Sequence, residues 1–289
     1  MKEIKFHNTQ YSAQQCGLDV LVQPTSPIDL HTTFNCGQAF RWRTLNTEKT
    51  HFCGVHKGIF LEISTKNGEL VLRNTTLANF NEIWRNFFAL DDDYKAIKSQ
   101  ISQDKTVKKA VNAYPGIRVL EQDPFETIIS FIISANNNIL RISKIIESLC
   151  ENFGEIITHF RGSPVYTFPT AEKLASLTEE DLSIIKAGYR AKYIIETAKM
   201  VEQILPDLKS LNSLDNTSLR KTLQTLQGVG PKVADCIMLF AFKRLDICPQ
   251  DVWVKRILAE NFDGALPDCC SGFEGIAQQF LFHYFRNLP

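Results

Sequence analysis

The chain has 289 residues, 44% of them hydrophobic, with 32 basic side chains balanced by 32 acidic ones. That length carries one large or two to three small domains with proper cores. Zero net charge argues against a protein held on a polyanion by bulk charge alone, and no apolar run is long enough to span a membrane.

Met1-Lys2-Glu3-Ile4-Lys5 contains an acidic residue and no apolar core. No secretory signal is therefore expected, and the cytoplasm is the expected compartment. The eight cysteines form no C-x-x-C pair, so they are expected to be reduced and mostly buried. Lys and Arg slightly outnumber Asp and Glu in residues 1–120, and the balance reverses in residues 121–289.

Residues 1–75 are β-rich in pattern. Leu18–Val22, Phe40–Arg43, His51–Val55, Gly58–Ile63 and Glu69–Arg73 have strand character, and Lys66-Asn67-Gly68-Glu69 is a hairpin turn because Asn-Gly accepts positive φ. An antiparallel sheet follows from this. From Leu77 through Phe88 the pattern becomes helical. Asp91-Asp92-Asp93-Tyr94 then opens another helix, with the acids as cap and first turn rather than as a metal site. Beyond Ala113 the chain reads as all α. Asp123-Pro124-Phe125-Glu126 begins a helix with Asp as cap, Pro at N1 and Glu at N3. That helix ends in Asn136-Asn137-Asn138, where amide side chains can cap the break. A short helix is expected over Thr178–Lys186, stopped by Gly188. Longer ones are expected from Tyr189 to about Leu205 and from Gly275 to about Arg286, the last placing Gln278 and Phe282 on one face. The chain divides into an N-terminal β-rich domain with flanking helices, 1–115, and a helical region, 116–289.

The densest signal is Leu226-Gln227-Gly228-Val229-Gly230-Pro231-Lys232-Val233-Ala234-Asp235-Cys236. Ser218–Leu226 reads as one helix and Val233–Ala241 as a second, so residues 218–241 form a helix–hairpin–helix. Gly228 and Gly230 permit the tight joint, and Pro231 suits the first helical turn. The turn bares N–H groups that can hold a phosphate. Lys232 lies at a helix N-terminus, where the dipole favours the neutral amine that nucleophilic attack requires. Asp251 follows Cys248-Pro249-Gln250 and precedes a helix. There a carboxylate can cap the helix, serve as acid or base, or stabilise positive charge.

L-x-G-V-G-x-K followed by P-x-D resembles the helix–hairpin–helix/Gly-Pro-Asp class of DNA base-excision glycosylases. Further blocks look like the 8-oxoguanine DNA glycosylase/lyase family: Asn35-Cys36-Gly37-Gln38-Ala39-Phe40-Arg41-Trp42, Gly116-Ile117-Arg118-Val119-Leu120, Phe131-Ile132-Ile133-Ser134-Ala135-Asn136-Asn137-Asn138, Gly188-Tyr189-Arg190-Ala191-Lys192-Tyr193 and Gly275-Ile276-Ala277-Gln278. They span roughly residue 15 to the end. The resemblance implies an α+β fold, with an N-terminal antiparallel sheet domain of the TBP-like kind followed by a mostly helical glycosylase region. It implies excision of 8-oxoguanine opposite cytosine in double-stranded DNA, then β-elimination of the abasic strand, with the damaged base flipped into a pocket. Lys232 matches the attacking amine and Asp251 its assistant. Gly37 matches the backbone carbonyl that reads N7–H, Gln278 the reader of the Watson–Crick edge, and Cys236 and Phe282 the sandwich around the base. Tyr189 matches the wedge; Asn136, Arg141 and Arg190 match contacts to the orphan cytosine. Gly228 and Gly230 belong to the phosphate-facing hairpin.

The iron–sulfur branches close with four clustered cysteines, which this sequence lacks. No cofactor or metal is implied, although carbonyls of Gln224, Leu226 and Val229 are of the kind that hold a monovalent cation. A monomer in the cytoplasm, nucleoid-associated in a prokaryote, is expected. Trp253 stands where animal members carry a phosphate-contacting histidine, which suggests a bacterial-type relative. Two rival readings are an alkylated-base glycosylase, which would lack the lysine, and a non-catalytic helix–hairpin–helix DNA-binding module, which would need neither Lys232 nor Asp251.

Overall fold

The computed structural model describes residues 5–7, 9–204 and 207–288. β1 (Lys5–His7), β2 (Tyr11–Cys16), β3 (Asp19–Pro24), β4 (Arg43–Thr44), β5 (His51–His56), β6 (Ile59–Lys66) and β7 (Glu69–Arg73) make a seven-stranded sheet in the order β1-β2-β3-β7-β6-β5-β4. The strand registers are antiparallel, as in Val20 opposite Leu72 and Ile63 opposite Leu72. The helices are α1 (Leu30–Asn35), α2 (Leu77–Asn79), α3 (Arg85–Phe87), α4 (Tyr94–Ile101), α5 (Lys105–Ala113), α6 (Pro124–Ser134) and α7 (Ile139–Phe153). A two-stranded ribbon, β8 (Ile156–Phe160) with β9 (Ser163–Tyr166), interrupts them. Then come α8 (Ala171–Ala175), α9 (Arg190–Ile204), α10 (Asn216–Leu223), α11 (Pro231–Phe242), α12 (Val252–Asn261) and α13 (Glu274–Arg286).

Two compact units result. The first combines the chain up to Gly54, Leu61–Glu121 and the chain from Leu245; the second combines Val55–Phe60 with Gln122–Arg244. This grouping differs from the division at 115/116 expected from the sequence. The terminal helix α13 buries Ile276, Ala277, Phe280 and Leu281 and packs on α5, so the end of the chain returns to the first unit. Burial of such apolar stripes is the main favourable term available to a helix of this length.

In the first unit, alternating residues Val20, Val22, Leu61, Ile63, Leu70 and Leu72 are buried, as the two-residue period of a half-covered sheet demands. An aromatic layer lies within the same unit. The Trp42 ring stacks on Phe34 at 4.3 Å and on Phe87 at 5.3 Å, and meets Trp84 edge-on. The strand expected over Phe40–Arg43 is therefore reduced to Arg43–Thr44, because Trp42 is spent on ring packing rather than on a ladder. Residues 80–84 wind as a π-helix between α2 and α3, within the expected helical stretch. Asp93 caps α4 by accepting from Ala96 N, as the acid triplet suggested.

In the second unit, α6 is buried from Thr127 to Ile133 and is covered by α7, α9 and α11. Asp123 caps it and Pro124 occupies N1, as read from the sequence. The expectation of an all-α chain beyond Ala113 fails at β8–β9. Ile156, Ile157 and Val165 favour strands, and Arg161 and Gly162 at φ +51° and +81° close the turn. Thr178–Lys186 holds a five-residue 3₁₀ turn, Asp181–Ile185, ended by Lys186 at φ +54°. The expected end of α9 near Leu205 lies outside the described residues.

A Cβ added at Gly54 would lie 2.4 Å from Cδ2 of Trp42. Gly54→Ala is expected to destabilise the protein by about 1–3 kcal/mol through overpacking. A denaturant titration followed by tryptophan fluorescence would show this as a lower midpoint. An unchanged midpoint would mean that Trp42 does not fix the aromatic layer.

Candidate active site

The hairpin joins α10 to α11 through Gln224–Gly230. Asp215 caps α10, accepting from Thr217 N and Ser218 N, so this helix starts and stops about two residues earlier than the expected Ser218–Leu226. The turn is fixed at Gly228, whose φ is +80° and where a Cβ would sit 2.8 Å from the Tyr193 ring. A side chain is thus excluded twice, by conformation and by contact. Thr197 Oγ1 donates to Gln227 O at 2.9 Å, and Val229 N donates to Leu226 O. Leu226 O, one of the carbonyls expected to face a cation, is therefore already used within the turn. Arg220 Nε donates to Asp235 Oδ1 at 2.7 Å and ties the two helices together. Burial pushes the Asp235 carboxyl up, and Arg220 opposes that shift.

Pro231 is N1 of α11 and Lys232 is N2. Lys232 is half-buried, with Nζ 5.5 Å from the centroid of Phe131. Phe131 in turn stacks on Phe240 at 5.4 Å. Cys236, one turn along α11, is buried at 3% exposure. Phe131 was not singled out as a site residue from the sequence, although it opens one of the family-like blocks. The amine lies against this apolar ring.

Two of the three asparagines cap the break, as the sequence suggested. Asn138 caps α7 by accepting from Arg141 N, and Asn137 Nδ2 donates to Ile133 O at 3.2 Å. Asn136 is exposed at φ +50°, a conformation asparagine tolerates better than most residues. Arg141 is exposed on α7 and Tyr189 is 54% exposed. Arg190 is held inward. It is only 4% exposed, and its guanidinium donates to the carbonyls of Ala135, Asn136 and Ala187. The donors expected to meet an orphan cytosine are engaged by backbone here.

The remaining expected residues belong to the first unit. Gly37 has φ +84° in a loop held by Gln38, which sequence reading did not single out. Gln38 is 1% exposed; its Nε2 donates to Thr33 O and Arg118 O, and its Oε1 accepts from Leu120 N at 2.8 Å. The neighbouring Cys36 thiol is pushed up to about 12 by burial and is inert. Asp251 caps α12, with Oδ1 accepting from Val254 N at 2.8 Å. Val252 and Trp253 beside it are exposed. Gln278 is 5% exposed and its Oε1 accepts from Gln279 Nε2. Gln278 and Phe282 line one small cavity with Cys248, Val254, Leu266 and Leu281, so the start of α12 and the face of α13 are brought together.

Among the described residues, no group of three or more His, Cys, Asp or Glu is placed to hold a metal ion, and no helix is long and apolar enough to cross a membrane.

A sequence-family model described as the N-terminal domain of 8-oxoguanine DNA glycosylase matches residues 20–128. One described as an HhH-GPD superfamily base excision DNA repair protein matches residues 129–262. The N-glycosylase/DNA lyase of Saccharomyces cerevisiae is 42% identical over 189 residues, covering 61% of this chain and 50% of that protein. The N-glycosylase/DNA lyase OGG1 of Arabidopsis thaliana is 31% identical over 263 residues, covering 83% of this chain and 67% of that one. This chain thus spans half the length of the yeast relative. The crystal structure of Clostridium acetobutylicum 8-oxoguanine glycosylase/lyase with double-stranded DNA containing cytosine opposite 8-oxoG has a TM-score of 0.88 at 35% identity, over 95% of this chain and 97% of that one. With the hairpin, its lysine and the capping aspartate in place, the chain belongs to the 8-oxoguanine DNA glycosylase/lyase family of helix–hairpin–helix repair proteins.

Proposed function

We propose that this chain is a bifunctional DNA repair enzyme that removes 8-oxoguanine from duplex DNA and then cuts the abasic strand. The observation that carries the reading is Lys232, half-buried in the first turn of α11 against the Phe131 ring, one turn before the buried Cys236. A solvated structural lysine has no need of such a seat, and a binding module has no need of the amine. The alkylated-base reading lacks a role for Lys232.

In the proposed reaction the neutral Nζ of Lys232 bonds to C1′ as the N-glycosidic bond breaks. The electron pair of that bond leaves with the purine, which takes up a proton. Ring opening of the sugar gives a Schiff base. Loss of a 2′ proton then expels the 3′ phosphate with the C3′–O bond pair, which is β-elimination. Asp251 spends Oδ1 on its helix cap. Its charge stabilises the cationic sugar as the base departs, and Oδ2 is the oxygen suited to proton transfer. Family likeness assigns the flipped base to Gly37, Gln278 and Phe282 of the first unit and to Cys236 of the second. Gln278 offers donor and acceptor to the Watson–Crick edge, and Phe282 and Cys236 supply apolar faces. Tyr189 fills the vacated stack, and Asn136 and Arg141 face the orphan cytosine. The N–H groups of Gly228 and Gly230 bind a phosphate, so a chain of zero net charge needs few lysines for the purpose.

Borohydride trapping on a duplex with one 8-oxoguanine opposite cytosine tests the reading. A covalent protein–DNA band is expected, and Lys232→Gln should abolish both the band and base release, by on the order of 10³-fold or more, as loss of a nucleophile does. Full base release by that folded variant would overturn the proposal.

Asp251→Asn separates the two duties of that residue. Asparagine caps a helix about as well as aspartate, so thermal stability should stay within about 1 kcal/mol of wild type. Single-turnover base release should fall by roughly 10²–10⁴-fold. Equal losses in stability and rate would reduce Asp251 to a cap.

A further inference from the structure

We propose that Gln279 is a positioning residue that holds the Gln278 amide in one orientation, the one that matches a guanine-type edge and opposes an adenine-type edge. The inference rests on the glycosylase reading above and deepens its account of how the base is selected.

Gln279 lies in a run of α13, from Gly275 to Leu281, that is buried at every position. A side chain at 4% exposure in such a run is ordinarily apolar. Gln279 is an amide instead, and an incompletely satisfied one. Its Nε2 donates to Gln278 Oε1 at 2.9 Å, while its own Oε1 is buried without a hydrogen-bond partner among the described residues. An unpaired buried acceptor is destabilising. A methionine of similar length would fill the place without one, so the polarity of Gln279 serves the stability of α13 poorly. Side chains one position apart on a helix do not naturally face each other. The two amides are turned toward one another all the same, and their bond is what the polarity of Gln279 secures.

That bond has a direction. A glutamine amide turned by half a rotation about its last torsion keeps its shape and exchanges its oxygen with its nitrogen. A guanine-type base offers an acceptor at O6 and a donor at N1–H. An adenine-type base offers a donor at N6–H and an acceptor at N1. Each edge matches one amide orientation and opposes the other. Because Gln279 donates, turning the Gln278 amide alone would set its Nε2 against another N–H group. A concerted turn of both amides would move the Gln279 Nε2, with two N–H groups to satisfy, into the buried place that its Oε1 now holds. The held Oε1 of Gln278 keeps a second lone pair for N1–H of the base, and Nε2 keeps its N–H groups for O6.

Gln278 is the member of the pair that lines the small cavity with Cys248, Val254, Leu281 and Phe282. Gln279 acts through it from behind. A site whose polar groups are fixed rejects the wrong hydrogen-bonding pattern strongly, because that pattern leaves buried groups unpaired. An amide free to turn would adapt to either edge and lose that advantage.

The test uses the full chain and two duplexes that differ only in the lesion, 8-oxoguanine or 8-oxoadenine, each opposite cytosine. Both bases carry the same O8 and N7–H, so the Watson–Crick edge is what changes. In single-turnover release, the ratio of the 8-oxoguanine rate to the 8-oxoadenine rate should fall about tenfold in Gln279→Met, the weight of one neutral hydrogen bond. The same change made in a Gln278→Ala background should leave the ratio of that background unaltered, because Gln279 acts through that amide. Should the methionine variant fail to fold, Gln279→Ala carries both comparisons. A ratio that does not fall, with the two rates lowered alike, would make Gln279 a packing residue and overturn the proposal. A fall of the same size with and without Gln278 would overturn it too. The ratio is also measured as equilibrium binding to duplexes holding 2′-fluoro forms of the two lesions, which resist release. A wild-type chain that prefers the fluorinated 8-oxoguanine duplex but releases no base from the natural one would count against the functional reading alone. A wild-type chain with no preference between the fluorinated duplexes would count against the role of Gln279.

Discussion

The second unit depends on one close approach, the Tyr193 ring against the bare backbone at Gly228. With the turn at φ +80° and no Cβ in the way, α9 can lie against the hairpin. The Thr197 hydroxyl, one turn beyond Tyr193 on α9, holds the turn's Gln227 carbonyl. The same contact reaches outward, because Tyr193 meets the Tyr189 ring at 5.9 Å. A chain of contacts therefore runs from the hairpin turn to the exposed ring proposed as a wedge. Lys232 inherits its place from this arrangement. It is the second residue of α11, and α11 can go nowhere else once Gly228 is seated and Arg220 holds Asp235. Nearly every position of α11 from Val233 to Phe242 is buried. Rotation of that helix would expose apolar surface at about 25 cal/mol per Å², so the amine is oriented by the burial behind it.

The first unit solves a different problem, holding an irregular loop still. The loop around Gly37 makes little regular structure, so its backbone groups need partners from elsewhere. Gln38 supplies them from inside, bridging Thr33, Arg118 and Leu120. Arg118 is itself buried at 2% exposure, donating to Ala89 O and Ser26 O with its guanidinium 4.1 Å over the Tyr94 ring. Such a network is stiff because removing any member leaves buried groups unpaired. The backbone beside Gly37 is thus held by a buried amide rather than left in a free loop.

Legibility followed the range of the interaction that decides each feature. Caps and turns depend on a few neighbouring residues, so Asp93, Asp123, Asn138 and Asn67-Gly68 could be read directly. The hairpin and its lysine were legible because glycines, proline and lysine fall within a few positions. Trp42 was misread as strand because its ring packing against Phe34 and Phe87 is set by residues far along the chain. The β8–β9 ribbon was overlooked because Ile156-Ile157-Thr158 is short and lies among long helical patterns. The return of α13 to the first unit leaves no local mark, since an apolar stripe does not say which partner will cover it. The roles of Gln38 and Phe131 were hidden for the same reason.

Arg141 and Arg190 show where this limit bears on function. Both are arginines in the first turn of a helix, and likeness to other sequences assigned both to the same base. Their surroundings separate them. Arg141 is exposed, beside a loop in which Asn137 donates to Ile133 O and Asn138 accepts from Arg141 N. Arg190 is held inward by the carbonyls of Ala135 and Asn136, which follow the end of α6. Two arginines in the first turns of two helices thus differ by what lies across from them, and no local pattern states that.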